Sequence, residues 1–257
     1  MKKLLQPSNK FTALLQLLFP LFFYLGIESG ASWYWWLVAF FFWAIVYTIF
    51  ANNVMFHRYC CHAHFTLAKW KEYPMLWLSC MAGFGGPLSY AMTHLIHHKY
   101  SDTEHDPHGP IRGIRSWLMC FQQTVNPAET PIFSKQILKL KKRFWWMHEY
   151  YTLIVLGTAL MLYLIDPLVF LFCWAIPASF GCWGVGFAVW RQHLGLEPGN
   201  ARTHRWEIVY EGLHLNHHLH PGAPDTAFKK GEIDWTYQFS RLLKPTYDWK
   251  GQPNRDV

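Results

Sequence analysis

Four apolar stretches, none carrying a charge, divide a chain whose other segments are basic and dense in histidine. Phe11–Ile27 has 17 residues, the lower end of the roughly 17–25 that cross a bilayer as a helix. Trp33–Phe50 follows after a five-residue link and opens on Trp33-Tyr34-Trp35-Trp36, a cluster suited to the membrane–water boundary. Tyr151–Ile165 and Pro167–Trp190 form a second pair, separated by Asp166. Each pair reads as a helical hairpin. The pattern therefore predicts an all-α integral membrane fold with four transmembrane helices in two hairpins. Lys2 and Lys3 before the first stretch resemble the start of a secretory signal. No small-residue cleavage site follows, however, and a second span comes at once.

Two further segments break the simple pattern. Met75–Met92 is apolar but contains Gly83, Gly85, Gly86 and Pro87, which predicts a broken helix along or dipping into the interface. The run Lys135–Trp146 is basic and amphipathic. It reads as a surface helix with its cations toward lipid headgroups and Trp145-Trp146 in the interface. With no repeat, low-complexity tract or linker, the chain 1–257 is expected to be one membrane-embedded domain.

Composition supports the membrane reading. Hydrophobic residues make up 52% and charged residues 15%, against roughly 25% charged in soluble domains. The formal charge of +7 raises the question of nucleic acid, but no basic stripe with interleaved aromatics is present, so no nucleic-acid partner is expected. All 23 Lys and Arg lie in the N-terminal, central and C-terminal segments, and neither hairpin tip holds one. The positive-inside rule then places both termini and the central segment, a cap formed by 53–150 and 191–257, on the cytoplasmic side. Cys60, Cys61, Cys80, Cys120, Cys173 and Cys182 are scattered and read as small buried hydrophobes rather than a disulfide framework.

The histidines carry the chemistry. Fifteen are present, and most fall in three groups outside the spans: His57 and His62; His94, His97 and His98; and His214, His217 and His218. A further candidate, His193, lies just beyond the fourth span. On an α-helix, residues at i, i+3 and i+4 share a face, so each HxxHH box projects its imidazoles together. Adjacent residues such as His97 and His98 still diverge by about 100°, which lets one box serve two neighbouring metals. His57 and His62 differ by about 140° on an ideal α-helix, which predicts separate metals or a helix end between them. Isolated His64, His148, His204 and His220 read as ordinary polar groups.

Packing imidazoles this densely is costly in desolvation and mutual repulsion unless metal holds them neutral. Imidazole suits Zn, Cu, Fe and Ni, so ligand type alone does not choose. A structural zinc takes four ligands and a catalytic zinc typically three. Nine candidates are two metals' worth with a position left open. Asp102, Glu104, Asp106 and Glu211 lie close in sequence and could orient the rings by accepting from their second nitrogen.

At these residues the sequence resembles the membrane fatty-acid desaturases, in the Δ9 acyl-CoA and acyl-lipid branch. The HxxxxH, HxxHH and HxxHH boxes occur in order, with Gly86-Pro87 before the second, His97-His98-Lys-Tyr-Ser-Asp-Thr and Asp106-Pro-His108 within and after it, Glu211-Gly212 before the third, and Asp234-Trp-Thr beyond. The resemblance implies a four-helix membrane stem and a cytosolic helical cap holding a di-iron site. Carried over by motif, His57, His94, His98 and His217 would hold one iron, and His62, His97, His193, His214 and His218 the other. Acyl-CoA members carry an Asn four residues before the isolated ligand, where this chain has Val189.

The expected reaction follows from the substrate. Methylenes have no acidic proton, so side-chain acid–base chemistry cannot start their oxidation, and a redox metal must. The resemblance implies two Fe2+ ions, O2 as co-substrate, and a cis double bond placed in an acyl-CoA or acyl-lipid chain drawn from the membrane lipid. A separate electron donor of ferredoxin or cytochrome b5 type is implied, since no flavin or nicotinamide glycine pattern is present. Trp77, Met81, Phe84 and Trp183 are candidates for an acyl tunnel, with lipid-facing packing the simpler reading of each. The rival chemistry at the same centre is a lipid or alkane hydroxylase or a carotenoid-modifying oxygenase. The non-enzyme rival, a metal transporter, calls for ionisable groups inside the spans, whereas these histidines sit outside them.

Overall fold

A computed structural model describes residues 9–107, 109–110, 135–197 and 200–246. Lys2, Lys3, His108, Cys120 and both chain ends lie outside them. Among the described residues the regular structure is helical, apart from one isolated bridge between Thr66 and Thr246. We number the helices α1 (Asn9–Glu28), α2 (Trp33–Cys61), α3 (Lys69–Met81), α4 (Pro87–Tyr100), α5 (Lys135–Glu149), α6 (Tyr151–Ile165), α7 (Pro167–His193), α8 (His214–Leu219) and α9 (Trp235–Leu242).

The apolar stretches become helices, but two run past their expected ends. Helix α2 continues from Phe50 to Cys61, and α7 from Trp190 to His193. At 29 and 27 residues, both exceed the roughly 20 needed to cross a bilayer. The extra turns carry chemistry, because His57 lies near the end of α2 and His193 is the last residue of α7. From Ala51 to Cys61 every residue of α2 is buried, so this end is a protein core rather than a lipid-facing rod. Leu17, Leu37, Phe40, Leu153, Leu160 and Leu164 project outward from α1, α2 and α6 and form the exposed apolar surface that lipid would cover.

Helix α6 matches the expected bounds Tyr151–Ile165, yet as a separate span it is corrected by its length. Its 15 residues reach only about 22 Å, short of a hydrocarbon core of about 30 Å. It qualifies as a span only together with α5, from which it is bent by 52°. The described residues thus hold three helices long and apolar enough to cross, or four if the bent pair counts as one.

Met75–Met92 is broken as its glycines predict. Helix α3 ends at Met81, and α4 restarts at Pro87, a residue suited to the first helical position because it has no N–H to satisfy. The irregular backbone between them is buried and partnered. Thr12 donates to the Gly83 carbonyl (2.6 Å), Trp174 Nε1 to the Met81 carbonyl (2.9 Å), and Gly85 N–H to the Tyr151 hydroxyl (3.3 Å). Non-helical backbone at membrane depth needs this kind of satisfaction. Gly83 has φ +89°, and a Cβ there would lie 2.5 Å from Leu15 Cδ1 and 3.0 Å from Cys182 Sγ. Gly83→Ala should therefore cost roughly 2 kcal/mol or more in unfolding free energy. Gly181→Ala is the control. Its Cβ meets nothing closer than 3.7 Å, and its midpoint in a detergent unfolding titration should stay at the parent's value or rise.

Helix α5 is amphipathic as expected, but the protein itself takes its apolar stripe. Ile137, Leu140, Phe144 and Met147 are buried at helical spacing, and α5 packs against α4. Lys139, Lys141 and Lys142 remain exposed on the other side. Among the described residues the cysteines are free thiols, in keeping with the absence of a disulfide framework.

Candidate metal centre

All nine candidate histidines converge through Nε2, in two groups. The first is His57, His62, His94, His98 and His217; the second is His97, His193, His214 and His218. Within each group the ligand atoms lie within 4.8 Å of one another. The HxxHH geometry divides as the 100° step demands. In α4, His94 and His98 face the first group and His97 the second. In α8, His214 and His218 face the second and His217 the first. Each box thus gives its i and i+4 positions to one group and its i+3 position to the other.

His62 is the correction to the expected partition, because it joins the first group, with its Nε2 3.0 Å from that of His94. The cause is local helix geometry. From Phe42 to Cys61 helix α2 is π-helical, and His62 N–H donates to the His57 carbonyl (3.3 Å), closing an i→i+5 turn. Residues five apart then stack on one face instead of diverging by 140°. Their ring centroids are 5.0 Å apart.

Carboxylates set three of the rings. His57 Nδ1 lies 3.1 Å from Glu211, His97 Nδ1 2.9 and 3.0 Å from the two oxygens of Asp106, and His193 Nδ1 3.1 Å from Asp102. With Nδ1–H donating to a carboxylate, Nε2 keeps only its lone pair. Yet Nε2 of His57 sits 2.8 Å from that of His217, His97 3.3 Å from His218, and His193 2.8 Å from His214. In the second group His214 and His218 can offer one Nε2–H each. That is too few for the three contacts His97–His218, His218–His214 (3.1 Å) and His214–His193, so two lone pairs meet there unless a cation lies between them. This donor set fits two transition-metal ions. The Nδ1 atoms of His214 and His217 are buried without a protein partner, leaving Nε2 as their engaged nitrogen.

Protonation cannot relieve the crowding. Burial pushes His62, His94, His98, His214, His217 and His218 all below the ordinary imidazole range, and neighbouring imidazoles push them further down. These six rings are held neutral, the form that binds metal.

The loop after α4 organises the second group. Asp102 adopts φ +62°, tolerated by Asp, and its N–H donates to Asp106 (2.7 Å), so the two carboxylates are fixed together. Asp106→Asn should lower affinity for the second metal by about 10–100-fold, read by competition with a chelator of known strength. Glu104 is not part of the site; its side chain is 85% exposed. Isolated His64 donates its Nε2–H to the Pro221 carbonyl (2.8 Å) and lies beside His62 without joining either group.

Sequence reasoning missed the charges behind Glu211. Arg58, fully buried, donates to Glu211, to Asp234 Oδ2 (2.9 Å) and to the Pro224 carbonyl (2.7 Å). Asp234 also accepts from Thr226 N–H and Oγ1 (2.8 Å each) and caps α9 through Tyr237 N–H (2.8 Å). Burial pushes the Glu211 carboxyl up, but Arg58 and the hydrogen bond from His57 outweigh it and hold it well below the usual range. Two asparagines, Asn52 and Asn53, were also missed. They line a cavity of about 50 Å³ that touches His57 and His94 of the first group and His97 and His214 of the second. Val189 lines the same cavity. Of the tunnel candidates, Trp77 and Met81 line a separate apolar groove of about 570 Å³ with Phe42, Leu78 and Leu162. Phe84 is buried, and Trp183 donates to the Gln16 carbonyl (2.7 Å).

A family described as fatty acid desaturase matches residues 31–232, most of the chain and all nine histidines. The chain belongs to the fatty acid desaturase family. It is 29% identical over 212 residues to the sn-1 stearoyl-lipid 9-desaturase of Anabaena variabilis, covering 74% of this chain and 73% of that protein. It is 26% identical over 222 residues to the Delta-9 acyl-lipid desaturase 1 of Arabidopsis thaliana, covering 78% and 70%. Similarity to the Acyl-CoA C20 Delta5-desaturase of Anemone leveillei is 28% over 212 residues, covering 76% and 67%. This desaturase is thus a membrane oxidoreductase that acts on fatty acyl chains.

Proposed function

We propose that this desaturase introduces a cis double bond, of Δ9 type, into a saturated acyl chain at a di-iron centre held by the nine histidines. The observation that carries the reading is the convergence of nine Nε2 atoms in two groups within a chain of this family. Two iron ions bound there would supply the redox chemistry by which O2 and two electrons remove two hydrogens from adjacent methylenes. The protein's own part is to aim the nine imidazoles and, by burial, to hold His62, His94, His98, His214, His217 and His218 neutral. Asp106, Asp102 and Glu211 accept the Nδ1–H of His97, His193 and His57, which leaves each Nε2 free to ligate. Burial keeps bulk water from the ring nitrogens. The exposed apolar groove beside Trp77 and Met81 suits an acyl tail drawn from the bilayer.

The chain acts as a single domain spanning 1–257. Its cap, formed by 53–150 and 191–257, faces the cytoplasm with both termini and the metal centre, in accord with the distribution of Lys and Arg. Its spans, α1, α2, α7 and the bent pair α5–α6 taken as one, form two hairpins. The substrate is an acyl-lipid or acyl-CoA, the chemistry named in the relatives, and electrons come from a separate ferredoxin or cytochrome b5. Expression in a desaturase-deficient host, followed by lipid mass spectrometry with double-bond localisation, should show new monounsaturated chains with one dominant position. Hydroxylated chains without new double bonds would instead assign a hydroxylase.

A further inference from the structure

The cavity of about 50 Å³ faces both histidine groups, and its walls differ in chemistry. Val185, Ala188 and Val189 of α7 line it with apolar side chains, next to Gln192, whose Nε2 donates to the Glu211 carbonyl. The cavity's polar lining includes Asn52 and Asn53 of α2 and Tyr90 of α4, with Tyr210 and Glu211. Tyr90, Asn52 and Asn53 form an ordered chain. The Tyr90 hydroxyl donates to Asn52 Oδ1 (2.9 Å), Asn52 Nδ2 to Asn53 Oδ1 (2.8 Å), and Asn53 Nδ2 to the Val209 carbonyl (2.9 Å). Because the Val209 carbonyl must meet an N–H, Asn53 turns its Oδ1 to Asn52 Nδ2, and Asn52 Oδ1 is left to accept from Tyr90, so both amides are fixed in one orientation. Each NH2 then has one hydrogen left over. Asn52 and Asn53 are 5% and 3% exposed, so bulk solvent does not satisfy those hydrogens.

Asparagine is a poor choice inside an apolar helix unless its amide is used. Tying α2 to the segment before Glu211 explains the Asn53–Val209 bond. It leaves the second N–H of Asn52 unexplained. The cavity has room for one to a few waters and falls far below the roughly 300–1,000 Å³ of pockets that take larger organic ligands. We infer that the Tyr90–Asn52–Asn53 chain is a positioning shelf that holds a water-sized hydrogen-bond acceptor between the two histidine groups. Val185, Ala188 and Val189 offer the acceptor no partner, and the Gln192 amide is engaged by the Glu211 carbonyl (2.8 Å). Any small ligand entering the centre displaces this water and inherits the shelf's hydrogen bond. The inference rests on the metal centre proposed above.

The test uses the full chain in nanodiscs, loaded with iron and oxidised, with metal content counted and sodium azide titrated by its optical band. Asn52→Leu, close in size but without N–H, should keep its iron and weaken azide about ten-fold, the effect of one hydrogen bond to a charged ligand. Adding Val189→Asn, which adds an amide to the lining of the same cavity, should restore the affinity. A purely structural role would not give that rescue. Full iron with azide affinity unchanged in Asn52→Leu overturns the shelf while leaving the metal centre standing. If Asn52→Leu does not fold, Asn52→Ala, which also removes the N–H, should still weaken azide; unchanged affinity there overturns the shelf equally. A parent chain that binds no metal overturns the centre and this inference with it.

Discussion

His217→Ala should abolish acyl-chain oxidation, lowering turnover by at least about 100-fold, and release metal from the first group. Its Nε2 lies 2.8 Å from that of His57 and 3.0 Å from that of His98, so it stands at the centre of the five-imidazole group. Alanine leaves four donors arranged around a missing one, with no nearby side chain of either group able to turn into the gap. His97→Ala should act as strongly on the second group, because its ring is both a donor and the one aligned by Asp106. His148→Ala is the comparison. His148 packs on Trp145 at a ring separation of 5.1 Å and belongs to neither group, so turnover should stay within about two-fold of the parent. Metal counting beside activity separates a lost ligand from a lost fold. Stripping metal with a chelator should remove the same activity, and Fe2+ should restore it where Zn2+ does not. Full activity in His217→Ala, or restoration by zinc, would defeat the assignment.

How legible was this site in the sequence? The HxxHH boxes could be read nearly completely: helical spacing shows that each can serve two metals, and the family resemblance sets His97 apart from His94 and His98, and His217 from His214 and His218. His62 could not be placed, because its group depends on a π-helical turn, and no residue pattern in Phe42–Cys61 announces one. The spans were legible in type and less so at their ends. Apolar runs stop at Phe50 and Trp190, whereas the helices continue as buried protein core to Cys61 and His193. Hydropathy sees polarity, and a helix that carries histidines beyond the bilayer turns polar before it ends. The asparagine shelf gave a faint signal, two amides interrupting an apolar helix. Arg58 gave another, a cation beside a histidine at the end of a span. Its partners are 153 and 176 residues away, a separation that only the folded chain closes.

Breaking that long-range cluster should have the largest effect on stability. Arg58 is surrounded by Glu211, Asp234 and the Pro224 carbonyl, and all three charged side chains are almost wholly buried. Arg58→Met keeps the aliphatic stem but strands two carboxylates away from water, and losing one partner of such a group typically costs about 3–5 kcal/mol. Adding Asp234→Asn should recover part of the loss, since it removes one stranded charge while keeping an acceptor for Tyr237. Acid supplies a second reading. The Glu211 carboxyl is held low in the parent, so its contribution to stability is present above the unfolded value of about 4.3 and lost as pH falls toward the folded one. Without Arg58, burial raises the same carboxyl instead, and protonation relieves the variant. The stability gap between parent and Arg58→Met should therefore narrow as a denaturant titration is repeated from pH 7 to below about pH 4. Because Glu211 also accepts from His57, the variant should lose metal from the first group before the second. A variant as stable as the parent at pH 7 would show that the cluster adds nothing to the fold. A gap that widened in acid would show that Glu211 is not its pH-sensitive member.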